Sequence, residues 1–376
     1  MTRAYDLIVM GGGPGGTSAA ITAAREGWRV LLVERGRFPR HKVCGEFVST
    51  ESLALLKWLL GDSQQDLLGR ALPLSESRLL LDGRMVRVPV APSAASIARY
   101  DLDLALWNAA ECAGVTALQE TTVQGIEGEN PFRVATSAGE FCGRAVINAT
   151  GRWSNLRRAG NHSTGTRWLG LKAHFHGELQ PTVDLYFFEG GYCGVQPVRS
   201  PDGSTLLNAC ALVRPGVAAT LEEVLYRHPL LAARSRCWRV VFAPVSTFPV
   251  ILRQPIPVSG SVLNAGDAAG FVDPFVGDGI ALALRGGNIA ASNLFAFLHG
   301  QSQLKQSLER YQRDYRHSLR PAYRASSLLR RFLGVPRGLR GALLSACESS
   351  PSLARYLVQA SRSKAVASHQ DLHQES

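Results

Sequence analysis

Cysteine is scarce and unpaired in this chain: seven residues in 376, an odd number, with no C-x-x-C among them. That spacing excludes a zinc ribbon and a redox dithiol, and so scattered a set makes no disulfide framework. Cys44, Cys112, Cys142, Cys193, Cys210, Cys237 and Cys347 are expected to be mostly buried small hydrophobes in a reducing compartment. Long apolar runs are missing too. The first, Leu7 to Met10, meets glycine after four residues, too short for a secretory signal. The most apolar stretch, from Gly279 to Leu298, carries Arg285, Asn288 and Asn293, which predicts a buried helix and no transmembrane segment. A cytoplasmic protein is the expectation. No acid/base pair or nucleophile triad stands out. His174 and His176 form an H-x-H on one strand face without Cys, Asp or Glu at ligand spacing, so no metal site is expected.

Charged residues make up 19% and hydrophobic ones 45%, a globular composition. Lys and Arg outnumber Asp and Glu, 41 to 30, for a formal charge of +11 and a pI of about 9.6. Such a balance attracts anions generally: nucleic acid, phospholipid, an acidic carrier protein or a phosphorylated substrate. The length suits two or three domains, or one dinucleotide domain with insertions.

The richest motif is "DLIVMGGGPGGTSAA", with Gly11, Gly13 and Gly16 at the spacing G-x-G-x-x-G. Leu7 to Met10 read as a buried strand and Thr17 to Ala24 as a helix, so the glycines mark a strand-to-helix turn. Gly11 permits the tight turn, Gly13 leaves room for a pyrophosphate, and Gly16 lets the helix pack close to the strand. The diphosphate would face the helix N-terminus and its free N–H groups. A second apolar strand, "WRVLLVE", ends at Glu34, where an acid binds the ribose hydroxyls of a dinucleotide lacking a 2′-phosphate. FAD and NAD both satisfy that description.

Further along, residues 77–90 read as short β runs around the hairpin signal Asp82-Gly83 and look inserted. Arg99 precedes a helix with Leu102, Leu106, Ala109 and Ala110 on one face and is a candidate phosphate or ribityl contact. The strand "AVINATG" runs into a small-residue turn at Gly151. Between about Arg167 and Leu252 the period is mainly two, which predicts antiparallel strands. The stretch "NAGDAAGFVDPFVGDGI" then places Gly266 and Asp267 at a strand end, before a helix beginning near Asp278. Asp267 can accept hydrogen bonds from a polyol, and that helix N-terminus can stabilise negative charge on a ring. A nucleotide fold with both of these devices far along the chain describes a flavin.

Together "GGGPGG" with Glu34, "NATG" at Asn148 to Gly151, and "NAGDAAGFVDPFVGDGI" resemble the FAD-dependent oxidoreductases that include aromatic-ring hydroxylases, geranylgeranyl reductases and flavin halogenases. The resemblance spans residues 1 to about 300. It implies an α/β fold (α+β overall): a Rossmann-like FAD-binding domain with an inserted antiparallel β-sheet substrate domain and a C-terminal helical segment. The expected division is 1–76, 91–165 and 255–300 for FAD, 77–90 and 166–254 for substrate, 301–364 for a basic helical region, and 365–376 for a frayed tail. By the same resemblance Gly11, Gly13 and Gly16 hold the diphosphate, Glu34 the ribose and Asp267 the ribityl chain. Arg99 then lies near the cofactor, with Gly266, Gly277, Gly279 and Ile280 beside the flavin. "FPRHKVCGE" looks most like the geranylgeranyl reductase branch, whose K-x-C-G element corresponds to Lys42, Cys44 and Gly45. That branch's Y-x-W-x-F-P element stands here as "YCGVQP", from Tyr192 to Pro197, without its tryptophan and phenylalanine. The W-x-W-x-I-P element of the halogenases is absent.

The first expectation is therefore a monooxygenase, in which reduced flavin reacts with oxygen and the hydroperoxide hydroxylates an aromatic or polyketide-like small molecule. The alternative is a reductase or dehydrogenase of a double bond in a lipid or isoprenoid-like substrate, with Cys44 and Tyr192 as candidate proton donors. A third is a flavin-bearing scaffold docking an anionic partner. NAD(P)H would be a transient electron donor, since no separate domain for it is evident. The arginine-rich segment beyond Leu304 reads as a solvated helical cap, or as a docking surface for an acyl carrier protein or a membrane surface. No motif supports nucleic acid.

Overall fold

Leu7, Ile8, Val9 and Met10 have no exposed surface, as a strand covered on both faces requires. They belong to β1 (Ala4–Met10) in a computed structural model that describes residues 4–152, 166–333, 335, 338, 340 and 341. The helix α1 (Pro14–Arg25) follows, with Gly13 as N-cap and Pro14 in its first turn, where a missing N–H costs nothing. Then come β2 (Val30–Val33), β3 (Phe47–Val48), α2 (Leu53–Leu60), α3 (Asp66–Gly69), β4 (Leu72–Leu81), β5 (Arg84–Ser96) and α4 (Arg99–Cys112). Strands β6 (Thr116–Leu118), β7 (Val123–Glu127), β8 (Phe132–Thr136) and β9 (Gly139–Asn148) complete the first half. The second half holds β10 (Arg167–His176), β11 (Thr182–Phe188), β12 (Gly191–Arg199), β13 (Thr205–Val213), α5 (Leu221–Leu225), α6 (Pro229–Ser235), β14 (Arg239–Val240) and β15 (Val245–Ile251). Last are β16 (Val258–Ser259), β17 (Val262–Asn264), α7 (Gly279–Ser292), α8 (Phe295–Leu298), α9 (Leu304–Ser318) and α10 (Arg320–Leu333).

Two sheets result. In the first, β6, β2, β1, β9 and β17 lie side by side and parallel, the order of a doubly wound nucleotide fold. β16 closes one edge, and β7 with β8 folds back antiparallel onto the first half of β9. Helices α1, α4 and α7 cover one face, and their apolar side chains share a single core with β1 and β2. The second sheet runs β14-β10-β13-β12-β11-β4-β5-β3, with β15 also on β10. Its strands pair antiparallel except β11 with β4. Asp82 and Gly83 turn the β4–β5 hairpin at φ values of +54° and +79°, the geometry their residue types favour. This hairpin is longer than residues 77–90.

Three expectations need correction. The stretch 279–298 is mostly buried as expected, 67% of its apolar span lying inside the fold, but it is divided: α7 ends at Ser292 and α8 is a separate turn. Of the six described cysteines, all free, only Cys193 is buried, while Cys112 and Cys237 are exposed. The helical region beyond residue 301 is not a solvated cap with every arginine outside. Tyr311, Tyr315, Leu319, Ala322 and Tyr323 belong to the main core, and Arg330 and Arg340 turn inward to Asp273 and Asp82. Cys347, Arg337, residues 342–364 and the tail 365–376 lie outside the described residues.

Candidate functional site

The glycine turn is built by close approach. Gly11, at φ +104°, lies against Ala149, and a Cβ there would come within 2.3 Å of the Ala149 carbonyl oxygen. A Cβ on Gly16 would fall 1.7 Å from the carbonyl oxygen of Gly11, so Gly16 seats the helix on the strand and stays behind the cavity wall. Gly13 differs: the nearest atom to a Cβ there is the Lys42 Nζ, at 4.0 Å. The α1 N-terminus and the Lys42 ammonium thus converge on a surface that side chains leave clear. A diphosphate fits that chemistry.

Glu34 ends the second strand as expected. Its Oε2 accepts the Gly12 amide at 2.8 Å, and its Oε1 accepts the Gly36 amide at 2.9 Å and Arg40 at 2.7 Å. Burial pushes the carboxyl up, but Lys42, Arg40 and the two amides together hold it below the usual range. Of its roughly four lone-pair positions three are taken, which leaves about one for a ribose hydroxyl. Arg99, placed from sequence as a phosphate or ribityl contact, lines the cavity but grips Asp103 one turn on, at 2.7 and 2.8 Å. Asp103 also lies 3.0 Å from Lys42. Burial would raise the Asp103 carboxyl, yet these two cations bring it to about 2. Burial pushes Lys42 down.

The two later motifs meet through their asparagines. Asn148 and Asn264 face each other on β9 and β17, with Asn148 Nδ2 donating to Asn264 Oδ1 at 2.9 Å. The turns "NATG" and "NAGD" are therefore neighbours beside the glycine turn. Gly266, Asp267, Gly277, Gly279 and Ile280 all line the cavity that Gly11 and Gly13 open into. Arg152, one residue past "NATG", reaches to 3.7 Å from Asp267 and lies over the Phe271 ring. The helix α7 packs onto α1 where a Cβ on Gly287 would come within 2.0 Å of the Gly15 carbonyl oxygen. That contact draws the α7 N-terminus to the cavity.

The cavity, 720 Å³, extends from this cradle across the face of the second sheet. There Leu79, Val88, Leu185, Phe187, Phe275 and Phe332 make an apolar wall. Cys44 and Tyr192, the two candidate proton donors, both line it. Tyr192 is buried, its hydroxyl 3.4 Å from Asp273, whose carboxylate also takes Arg330 from α10. Burial and the neighbouring Asp273 push the Tyr192 hydroxyl well up, so it stays protonated and donates. Burial also raises the Asp273 carboxyl.

A third cluster went unread in the sequence. Glu46, at φ +63°, carries a fully buried carboxylate that accepts the Arg99 amide at 2.9 Å, the Lys172 ammonium, and His174 Nε2 at 2.9 Å. Burial would raise this carboxyl, but Lys172 and His174 bring it down to about 2. His174 is thus tied to a carboxylate, while His176 is exposed at the strand end. No group of three metal-ligating side chains occurs among the described residues. Of the residues missed, Asp103 carried a local signal, a carboxylate four residues after Arg99 on a helix. Glu46 with Lys172 and Asp273 with Arg330 carried none.

A parallel sheet with glycine turn and acid, and a second strand-to-helix turn beside the first, mark a dinucleotide-binding fold. The family described as FAD dependent oxidoreductase matches residues 6–160. Conditioned medium factor receptor 1 of Dictyostelium discoideum is 26% identical over 348 residues, covering 82% of this chain and 66% of that protein. Menaquinone reductase of Mycobacterium tuberculosis is 28% identical over 323 residues, covering 77% of this chain and 76% of that one. Among solved structures the flavin-dependent brominase Bmp2 superposes with a TM-score of 0.79 at 20% identity, over 99% of both chains. Further matches include geranylgeranyl reductases and other flavin-dependent halogenases. The family match over residues 6–160 and these relatives support the FAD-dependent oxidoreductase superfamily that contains these branches.

Proposed function

We propose that the protein is an FAD-dependent monooxygenase that hydroxylates an aromatic or polyketide-like small molecule. The observation that carries this reading is the chamber wall. Phe187, Tyr192 and Phe275 pack ring against ring at 5.7 to 6.0 Å within an apolar surface, and the Tyr192 hydroxyl marks one polar end. A flat apolar ring bearing a hydroxyl matches that surface. When bound, FAD supplies the redox and oxygen chemistry. Gly11, Gly13 and the α1 N-terminus hold its diphosphate, Glu34 its ribose and Asp267 its ribityl chain. The α7 N-terminus favours negative charge on the ring system. Tyr192, kept protonated and anchored by Asp273, orients a substrate oxygen, and the apolar wall excludes water. NADH or NADPH from solution would serve as electron donor.

The test uses the FAD-loaded protein, each nicotinamide, a panel of phenols and polyketide quinols, and isotopically labelled dioxygen. Incorporation of one labelled oxygen atom into product supports the reading. Reoxidation in air without product across the panel overturns it.

The menaquinone reductase relative favours a second reading, reduction of a double bond in an isoprenoid-like or quinone lipid. Cys44, at the cavity wall, would then deliver the proton. Turnover without oxygen, with a polyprenyl or quinone acceptor, supports this second reading.

A further inference from the structure

The helix α10 has two unlike faces. Tyr323, Ser326 and Arg330 point inward, to the Gly270 carbonyl, the Asp273 amide and the Asp273 carboxylate. Arg320, Arg324, Leu328 and Arg331 share the opposite face by helical spacing. Leu328 is 63% exposed there, although a large apolar side chain gains by burial. Arg324 and Arg331 are exposed on either side of it, and α10 contains no acidic residue. At the N-terminal end of this face lies a groove between α9, α10 and residues 254–257, lined by Arg316, Arg320, Arg324 and Ile256. Ile256 is 55% exposed. None of Arg316, Arg320, Arg324 and Arg331 meets a carboxylate within 4.0 Å among the described residues.

We propose that this face is a docking surface for an anionic lipid bilayer, with the groove taking a lipid phosphate and Leu328 and Ile256 entering the headgroup–acyl boundary. Arginines interleaved with isolated apolar side chains on one helix face match an interfacial element. An acidic protein partner would satisfy the arginines but leaves the two apolar side chains without a reason to be exposed. The position adds a consequence that rests on the hydrophobic substrate read above. Phe332 and Leu333, immediately after Arg331, line the catalytic chamber. A substrate with an apolar chain would move from the bilayer to the chamber along the end of α10.

The experiment is flotation of the full-length FAD-loaded protein with vesicles of phosphatidylcholine alone, or of phosphatidylcholine with phosphatidylglycerol. The protein is expected to float with the second and not the first, and less so as salt rises. Arg324→Gln with Arg331→Gln should weaken flotation by roughly twenty-five-fold, about fivefold per charge, with flavin absorbance and thermal midpoint unchanged. Leu328→Ser should weaken the binding that persists at high salt. Failure of the protein to prefer anionic vesicles, or equal flotation of the double variant, overturns the proposal. Loss of binding to an acyl carrier protein in the double variant, with flotation intact, assigns the arginines to that partner instead. Flotation needs no turnover, so it is read independently of the oxygenation reading.

Discussion

Glu46 and Lys172 form an ion pair in which neither side chain exposes more than 1% of its surface. Glu46 leads into β3 and Lys172 stands on β10, so the pair ties the cradle loop to the chamber sheet. A buried pair of this kind is weak evidence for stability, because desolvation opposes the attraction. Breaking it is another matter. Glu46→Gln leaves Lys172 and His174 facing an uncharged amide and is expected to destabilise the fold by about 3–5 kcal/mol. Adding Lys172→Met should recover most of the loss in urea unfolding, which would show that the charge imbalance, and not lost packing, is responsible.

The same carboxylate sets an acid limit. Glu46 falls from an ordinary 4.5 to about 2, and Asp103 from 3.8 to about 2. Both are depressed in the folded state, so the unfolded chain binds more protons between those values. Their contribution is present above about pH 4.5 and disappears as pH falls toward 2. For Glu46 alone it amounts to roughly 3 kcal/mol. Urea midpoints measured from neutrality into that acid range should fall steeply in the wild type and less steeply in Asp103→Asn.

Gly13 and Gly16 separate cofactor binding from folding. A Cβ at Gly13 has only Lys42 Nζ within 4.0 Å, so Gly13→Ala should keep the thermal midpoint of the flavin-free protein while flavin content falls. Gly16→Ala forces an atom to 1.7 Å from a backbone oxygen and should lower that midpoint itself. Comparable flavin-free midpoints in the two variants would contradict the division of roles.

What the sequence made legible was local. A strand, three glycines and an acid at the next strand end are constrained within a few dozen residues, and the parallel pairing of β1 with β2 follows from them. "NATG" and "NAGD" were readable one at a time, but their pairing through Asn148 and Asn264 depends on β9 and β17 being neighbours. Glu46 stood in plain view after "KVCG", yet its side-chain partners Lys172 and His174 lie on β10, more than a hundred residues on, and no periodicity links them. The arginines beyond residue 301 look alike in sequence. Only the packing of Tyr311 and Tyr323 into the core sorts Arg330, facing inward, from Arg324 and Arg331, facing out.

The two candidate proton donors answer different questions. Tyr192→Phe removes a hydroxyl that hydrogen-bonds to Asp273, and should cost up to about tenfold in kcat/KM with flavin retained. Cys44→Ser should stay within about twofold of wild type under hydroxylation, where no thiol proton is required. A loss of a hundredfold or more, typical of a removed general acid, would support double-bond reduction instead.

Arg330 connects α10 to the chamber, lying over the Trp168 ring at 4.4 Å while gripping Asp273. Removing the guanidinium as Arg330→Met leaves the buried Asp273 carboxyl with only Tyr192 and the Phe275 amide, and burial then pushes that carboxyl further up. A protonated Asp273 holds the Tyr192 hydroxyl more weakly, and α10 loses one of its anchors beside Phe332. Substrate KM should rise by about tenfold with flavin content unchanged, since Arg330 stands on the chamber side, away from the diphosphate. Arg330→Lys should recover little, because an ammonium neither stacks on Trp168 nor forks to a carboxylate as a guanidinium does. Equal KM values in wild type and Arg330→Met would remove α10 from the substrate site.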